Sequence, residues 1–149
     1  MIAIIDYDAG NLKSVEKALK SLNQEVIVSR DSSEILQADK VILPGVGAFG
    51  DAMNNLDKFG LVDTIKEVAR KNTPFLGICL GLQLLFDKSD ETPGAEGLGI
   101  LKGEILRIPP KEGLKIPHMA GIPLKSNRRQ SFLKIFRISH MYILYILTI

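Results

Sequence analysis

The chain has 149 residues, of which 46% are hydrophobic and 24% are charged, with a formal net charge of +2. This length favours one domain, and the ordinary apolar fraction excludes wholesale disorder. A single cysteine excludes an intrachain disulfide framework and a multi-cysteine metal cluster. The first residues lack a basic segment followed by a long apolar one, so no secretory signal is predicted and a cytoplasmic location is expected.

The basic charge is concentrated at the C-terminal end. All 17 acidic residues lie at or before Glu112. Residues 113–149 carry six basic side chains and no acidic one, so the first 112 residues have a net charge of −4. A basic surface spread over the whole domain would indicate a nucleic-acid partner. Because the excess comes from the tail alone, no nucleic-acid partner is predicted.

Strand-like and helix-like segments alternate over residues 1–108. Apolar runs predict strands at residues 1–5, 25–28, 40–43 and 74–78, with one or two short strands within 100–108. Apolar residues at helical spacing predict helices at residues 12–22, 61–71 and 80–86, the first of them capped by Asn11. Strands that are apolar on both faces predict an α/β domain with a mostly parallel sheet and helices on both faces.

Residues 77–81 read Gly-Ile-Cys-Leu-Gly and follow a predicted strand directly. This is the pattern of a nucleophile elbow, with Cys79 in the place of the nucleophile. The turn strains the nucleophile's backbone, and flanking glycines remove side chains that would collide there. The helix end beside the thiol favours the thiolate, and the Leu80 N–H can face a developing oxyanion. A structural cysteine is the alternative. A catalytic cysteine is favoured because the predicted strand, both glycines and the predicted helix all stand at the positions that the pattern requires.

A second glycine-rich segment, Pro-Gly-Val-Gly-Ala-Phe-Gly at residues 44–50, follows the third strand. It contains Gly-x-Gly-x-x-Gly, which is typical of dinucleotide binding. That interpretation is disfavoured because the motif does not follow the first strand, and Asp63 and Glu67 fall on a helix. A plain loop and a loop that presents N–H groups to an oxyanion remain open. Both glycine motifs follow strand ends, so a parallel sheet would bring them to one edge.

The last eight residues, 142–149, are strongly apolar. They are far fewer than the ~20 residues that span a bilayer, so no membrane span is predicted. A membrane-surface segment is the less favoured alternative, because the helical periodicity is poor. His118 and His140 are isolated, and neither a metal site nor a cofactor is predicted.

Three segments together resemble one family closely: MIAIIDYDAGNL at residues 1–12, PGVGAF at 44–49 and GICLGLQ at 77–83. The family is the glutamine amidotransferase subunit of imidazole glycerol phosphate synthase, from histidine biosynthesis. The Cys79 segment alone would indicate the broader class of triad glutamine amidotransferases. The resemblance covers residues 1–119, where 91–99 and 116–119 are further landmarks, and it implies a class I glutamine amidotransferase-like (flavodoxin-like) domain.

Enzymes of this family hydrolyse glutamine to glutamate and ammonia, and pass the ammonia to a (β/α)₈ cyclase subunit in a heterodimer. The resemblance implies that Cys79 attacks the side-chain amide of glutamine and forms a glutamyl thioester. It also implies that N–H groups at Val46 and Leu80 form the oxyanion hole.

The resemblance further implies a substrate site and a partner surface. Gly45, Gly47 and Gln83 would bind glutamine, and Asn11 would lie towards the cyclase. Two other functions stay open. One is a cysteine hydrolase of another small amide or ester, and the other is a non-catalytic module that binds the cyclase or a nucleotide.

The resemblance ends in the C-terminal part of the chain. The family needs a histidine base and a glutamate that orients it, but His140 lacks the family's context and no acidic residue follows Glu112. The family continues His-Met-Gly-Trp, whereas residues 118–121 read His-Met-Ala-Gly. The catalytic histidine and glutamate are therefore expected to be absent.

A one-base deletion near codon 120 would explain this departure. If residues 120–122 are encoded GCT-GGA-ATT, the frame that begins at the third base reads Trp-Asn. In that frame, permitted codons for the rest of the tail regain acidic residues and end in Phe-Val-His-Ser-Tyr-Tyr. We therefore expect an incomplete glutamine amidotransferase domain over residues 1–119, an out-of-frame tail over 120–149, and a catalytically inactive chain.

Overall fold

The computed structural model describes residues 1–107 and 109, and the backbone of two strands at 118–123 and 142–147. The chain divides into two compact units, Met1–Arg107 and Ile108–Ile149. The main sheet of the first unit consists of four strands: β1 (Ile2–Ile5), β2 (Val26–Ser29), β3 (Lys40–Leu43) and β4 (Phe75–Gly77). Its order is β2-β1-β3-β4 and all neighbouring strands are parallel. The predicted α/β fold with a parallel sheet is confirmed.

Helices of the first unit cover both faces of this sheet. They are α1 (Leu12–Ser21), α2 (Ser32–Gln37), α3 (Phe49–Lys58), α4 (Leu61–Arg70) and α5 (Leu80–Gln83). Side chains alternate along a strand, so Ile2 and Ile4 of β1 pack with the apolar residues of α1. Ala3 and Ile5 point to the opposite face, into the larger core that α2, α3 and α4 complete. The strands are therefore apolar on both sides because each side carries a helical layer.

The structure corrects the predicted start of α1. Asn11 occupies the N-cap position, but its φ is 72° and its side chain makes no capping hydrogen bond. N-cap residues that bond the first turn have extended backbones, whereas asparagine also tolerates the left-handed region found here. The predicted side-chain cap is wrong, although α1 begins at the predicted residue.

The helix after Cys79 is shorter than predicted. Residues 80–86 were expected to be helical, but α5 ends at Gln83. The carbonyl groups of Leu84, Leu85 and Phe86 accept hydrogen bonds from the N–H groups of residues 98–101 instead. Because a returning segment satisfies these carbonyls, the chain leaves the helix after one turn.

Strand β4 lies at one end of the main sheet, and its three residues are half-buried, not fully buried as the sequence predicted. Two short strands, β5 (Lys88–Ser89) and β6 (Glu104–Ile105), form a separate parallel pair. β6 falls in the interval 100–108, where short strands were expected. Residue 108 itself lies outside the described residues.

The second unit contains two described strands, β7 (His118–Pro123) and β8 (Tyr142–Leu147), which pair antiparallel. His118 begins β7, whereas His140 lies outside the described residues. β8 takes up most of the apolar segment at 142–149, so that part of the tail is extended and not a surface helix. Within the described part of the chain, no helix has the length and apolarity needed to cross a bilayer.

Candidate active site

Cys79 stands at a strained turn between β4 and α5. Its φ is 53° and its ψ is −116°. The other non-glycine residues with positive φ in the described part of the chain are aspartates or asparagines, which tolerate that region better than cysteine does. Such a conformation costs on the order of 1–3 kcal/mol and persists where the surrounding structure enforces it. This geometry is that of a nucleophile elbow, and the Cys79 side chain is half-buried.

Two close approaches explain the glycines on either side of Cys79. A Cβ built on Gly77 would lie 2.6 Å from Leu82 Cα, because α5 folds back over the end of β4. A Cβ built on Gly81 would overlap the carbonyl oxygen of Leu43, the last residue of β3. The elbow is thus packed against two strand ends, and only glycine fits at both positions.

The glycine-rich loop (residues 44–48) lies against the start of α5. A Cβ built on Gly45 would come within 2.5 Å of Gly81 N and 2.9 Å of Leu80 Cβ. The Ile78 N–H, next to the nucleophile, donates to Leu43 O at 2.9 Å immediately before this loop. The structure therefore brings the loop and the elbow together at the carboxyl edge of the sheet, as the parallel topology required.

Within the loop, Val46 is flanked by two glycines and is 52% exposed. Gly47 has a φ of +98° with open space where a side chain would stand. Leu80 is the first residue of α5, a position whose N–H has no acceptor within a helix. Val46 thus lies in a loop that packs on the elbow through Gly45, and Leu80 directly follows Cys79.

The end of the loop is held by a segment far away in sequence. Helix α3 starts after Ala48, which makes no side-chain cap. Its first N–H groups are instead bound by Glu91, whose Oε2 accepts from Phe49 N at 3.0 Å, and by Thr92 Oγ1, which accepts from Gly50 N at 3.3 Å. The two side chains replace the missing cap and fix where the glycine-rich loop ends.

The start of the loop is held by Tyr7, which follows β1 and is 1% exposed. Its hydroxyl donates to the carbonyl oxygen of Pro44 at 2.7 Å. Burial raises the pKa of Tyr7 well above its usual value, and the nearby charge of Cys79 raises this pKa further. Since an ionised phenol is disfavoured, the hydroxyl remains a hydrogen-bond donor at neutral pH.

The remaining predicted residues lie near this edge. Gln83 is half-buried on α5, and its N–H donates to Cys79 O at 3.3 Å, one turn after the nucleophile. Asn11 is exposed at the start of α1. A Cβ on its neighbour Gly10 would lie 3.1 Å from Val46 Cγ2. The residue before Asn11 is therefore close to the glycine-rich loop.

The first unit contains no histidine, since the two histidines of the chain are at positions 118 and 140. In the described part of the chain, no cluster of His, Cys, Asp and Glu side chains could hold a metal ion. The first unit therefore carries the cysteine elbow and the glycine-rich loop but no histidine side chain. Tyr7, Glu91 and Thr92 lie in segments that carry the resemblance, but the sequence assigned no role to any of them, because their roles arise from contacts between distant segments.

We expect Glu91→Ala to destabilise the N-terminus of α3 by about 1 kcal/mol, as for the loss of an N-cap. Amide hydrogen exchange should quicken at Phe49, whose N–H would lose its acceptor. Glu96→Ala provides the control, because Glu96 is an exposed glutamate of the same segment. An equal change in exchange at Phe49 in both variants would contradict the capping role.

Comparisons with known proteins agree with this geometry. A family model described as "Glutamine amidotransferase class-I" matches residues 3–139. The chain is 57% identical over 118 residues to "Imidazole glycerol phosphate synthase subunit HisH" of Lactococcus lactis subsp. lactis, covering 79% of this chain and 57% of that protein. It is 44% identical over 146 residues to the subunit of the same name from Listeria innocua serovar 6a, covering 98% of this chain and 69% of that protein.

A solved structure described as "Crystal structure of glutamine amidotransferase" matches with a TM-score of 0.66 at 18% identity, covering 83% of this chain and 64% of that one. At this identity the match supports the fold alone. The chain spans less than two thirds of the length of several relatives, for example 57% of the Lactococcus protein. The sequence matches nevertheless show that this chain belongs to the class-I glutamine amidotransferase family, in the branch of the HisH subunits of imidazole glycerol phosphate synthase.

Proposed function

We propose that this chain derives from the glutamine-hydrolysing subunit of imidazole glycerol phosphate synthase, acting in the cytoplasm in histidine biosynthesis. One observation carries the proposal: Cys79 sits at a positive φ in an elbow that packs directly on the glycine-rich loop. A structural cysteine has no need of this strained backbone. A dinucleotide site would follow the first strand, whereas this loop follows β3.

The chemistry follows from the order of groups at the sheet edge. The Cys79 thiolate attacks the side-chain amide carbon of glutamine, and the carbonyl oxygen becomes an oxyanion that the Val46 and Leu80 N–H groups bind. The intermediate collapses with loss of ammonia and leaves a glutamyl thioester. Water then attacks the thioester, which releases glutamate and restores the thiol. These steps need a group that accepts the thiol proton, donates a proton to the leaving ammonia and then accepts one from the attacking water.

Residues at the same carboxyl edge of the sheet suggest where the substrate and the partner subunit would bind. Gly45 packs against Gly81 and Leu80 of the elbow, and Gly47 has open space at its Cβ position. Gln83 lies one helical turn from Cys79. We propose that Gly45, Gly47 and Gln83 bind the glutamine substrate. Asn11 is exposed beside the loop, and we propose that it faces a (β/α)₈ cyclase subunit, which would receive ammonia in a heterodimer.

We also propose that residues 120–149 are read out of frame. The tail lacks acidic residues entirely. In the shifted frame, permitted codons allow both acidic residues and a histidine. A catalytic histidine and glutamate would then be encoded in the gene but absent from the chain. Sequencing the gene tests this directly, since a single-base insertion near codon 120 must restore the family sequence.

The glutamine chemistry is tested by labelling with diazo-oxo-norleucine, a glutamine-like diazoketone. The Cys79 sulfur forms a bond to the terminal carbon, which takes up a proton from solvent, while the diazo group leaves as N₂. We expect one adduct per chain, mapped to Cys79 by mass spectrometry, and slower labelling when glutamine is present.

Cys79→Ser supplies the control, because it removes the sulfur with little change in volume. A hydrolase of an unrelated amide would give labelling that glutamine does not slow. A nucleotide-binding module would be protected by a nucleotide instead. Either result, or no adduct at Cys79, would contradict the proposed substrate.

A further inference from the structure

Tyr7 connects three segments that meet at the candidate active site. It follows β1, its hydroxyl donates to Pro44 O at 2.7 Å, and a Cβ on Gly45 would lie 2.8 Å from its oxygen. Besides burial, an electrostatic contribution from Cys79 raises the pKa of the phenol. Its ring is completely buried in the larger core. The hydroxyl is therefore a fixed point between the core and the glycine-rich loop.

The loop requires such a fixed point because its own backbone is permissive. Val46 lies between Gly45 and Gly47, and glycine rotates about φ more freely than any other residue. The direction of the Val46 N–H is thus not determined by local sterics. The hydrogen bond from Tyr7 fixes the carbonyl of Pro44, two residues earlier. Without that bond, the Pro44 carbonyl could rotate towards a different hydrogen-bond donor.

We propose that Tyr7 is a positioning residue, whose hydroxyl holds the Pro44 carbonyl so that the Val46 N–H faces the Cys79 thiol. This inference rests on the proposed function, because it gives a role to the loop in binding an oxyanion. It assigns to Tyr7 no contact with the substrate. The hydroxyl acts only through the backbone of the glycine-rich loop.

The test compares the parent chain with Tyr7→Phe, which removes the hydroxyl and keeps the ring. Tyr145→Phe makes the same change in β8 and serves as the matched control. Order parameters of the Gly45, Val46 and Gly47 amides from ¹⁵N relaxation report loop order without any glutamine chemistry. We expect about 0.85 in the parent and below about 0.6 in Tyr7→Phe, with α4 unchanged.

Labelling kinetics supply the second readout. In Tyr7→Phe, the maximal rate of labelling by diazo-oxo-norleucine should fall about tenfold, while the concentration that gives half this rate changes less than twofold. Alkylation by iodoacetamide needs only an accessible thiol and should change less than twofold. A purely structural role would slow both reagents together and lower order parameters throughout the first unit.

The outcomes separate the two proposals. A parent chain that does not react with the diazoketone contradicts the glutamine chemistry, and the order parameters alone then decide on Tyr7. An ordered loop in Tyr7→Phe, or a mobile loop already in the parent, overturns the positioning role. An unchanged maximal labelling rate in Tyr7→Phe overturns it as well. Loop disorder confined to Tyr7→Phe supports it.

Discussion

Glutamine hydrolysis by the chain in its present form should be at least about a thousandfold slower than by a version whose reading frame is restored after Met119. The first unit holds the proposed nucleophile and the proposed oxyanion donors, but it contains no histidine to accept the thiol proton. Removal of a triad base costs several orders of magnitude in rate, because the remaining groups supply only binding and oxyanion stabilisation. Restoring one base near codon 120 should return the missing groups.

The measurement is glutamate release, followed for both chains in the presence of the (β/α)₈ cyclase subunit of the same organism. Cys79→Ser in the restored chain controls for contaminating glutaminase and should abolish the activity. Equal rates for the two chains would show that the tail does not limit catalysis. The proposal of an inactive, frame-shifted chain would then be wrong.

Gly81→Ala should destabilise the first unit by about 3 kcal/mol or more. Its Cβ would overlap the Leu43 carbonyl and lie 3.1 Å from the carbonyl carbon of Pro44, and both are backbone atoms that cannot rotate away. Relief requires α5 to separate from the end of β3, which would also displace Cys79 from the glycine-rich loop. We expect a fall in melting temperature of roughly 10 °C or more, measured by circular dichroism.

Gly60→Ala is the matched control for this substitution. Gly60 has a φ of +67° but nothing lies within 4 Å of its Cβ position, so alanine there meets backbone strain without a clash. This strain costs on the order of 1 kcal/mol. Equal melting temperatures for the two variants would mean that the elbow tolerates a side chain, and the packing described for it would be incorrect.

The sequence predicted the elements whose signals are local. Strand β3 has the predicted bounds, and α4 (Leu61–Arg70) ends one residue before the predicted end. In both, an apolar pattern is bounded by a breaker or a turn. Proline and glycine after β3 stop the strand, and Asn72 at a φ of 55° follows α4. The apolar pattern is enough to predict the bounds of an element when no distant segment helps to form its ends.

Helices α2 and α3 were missed for different reasons. α2 is short, but Asp31 accepts hydrogen bonds from the N–H groups of Ser33 and Glu34, and the Asp-x-x-Glu spacing could have revealed it. α3 has no local start signal, because its first N–H groups are bound by side chains 42 residues further along the chain. A cap supplied by tertiary contact leaves no trace in the neighbouring sequence.

The candidate site divides in the same way. Cys79 and the glycines around it form a motif that is contiguous in sequence, because all of these residues belong to one strand-to-helix turn. Tyr7 and Glu91 act on the glycine-rich loop from 37 and 42 residues away. Their roles depend on strand order, which places the end of β1 beside that of β3. The sequence could therefore point to Cys79 as the candidate nucleophile but not to the groups that hold its surroundings.

The structure of the diazo-oxo-norleucine adduct would test the central claim most directly. We predict that the adduct's ketone oxygen lies about 2.7–3.1 Å from the N–H nitrogens of both Val46 and Leu80, as an oxyanion hole requires. A ketone oxygen that points to solvent and contacts neither group would contradict the claim. It would show that the thiol and the glycine-rich loop do not act together.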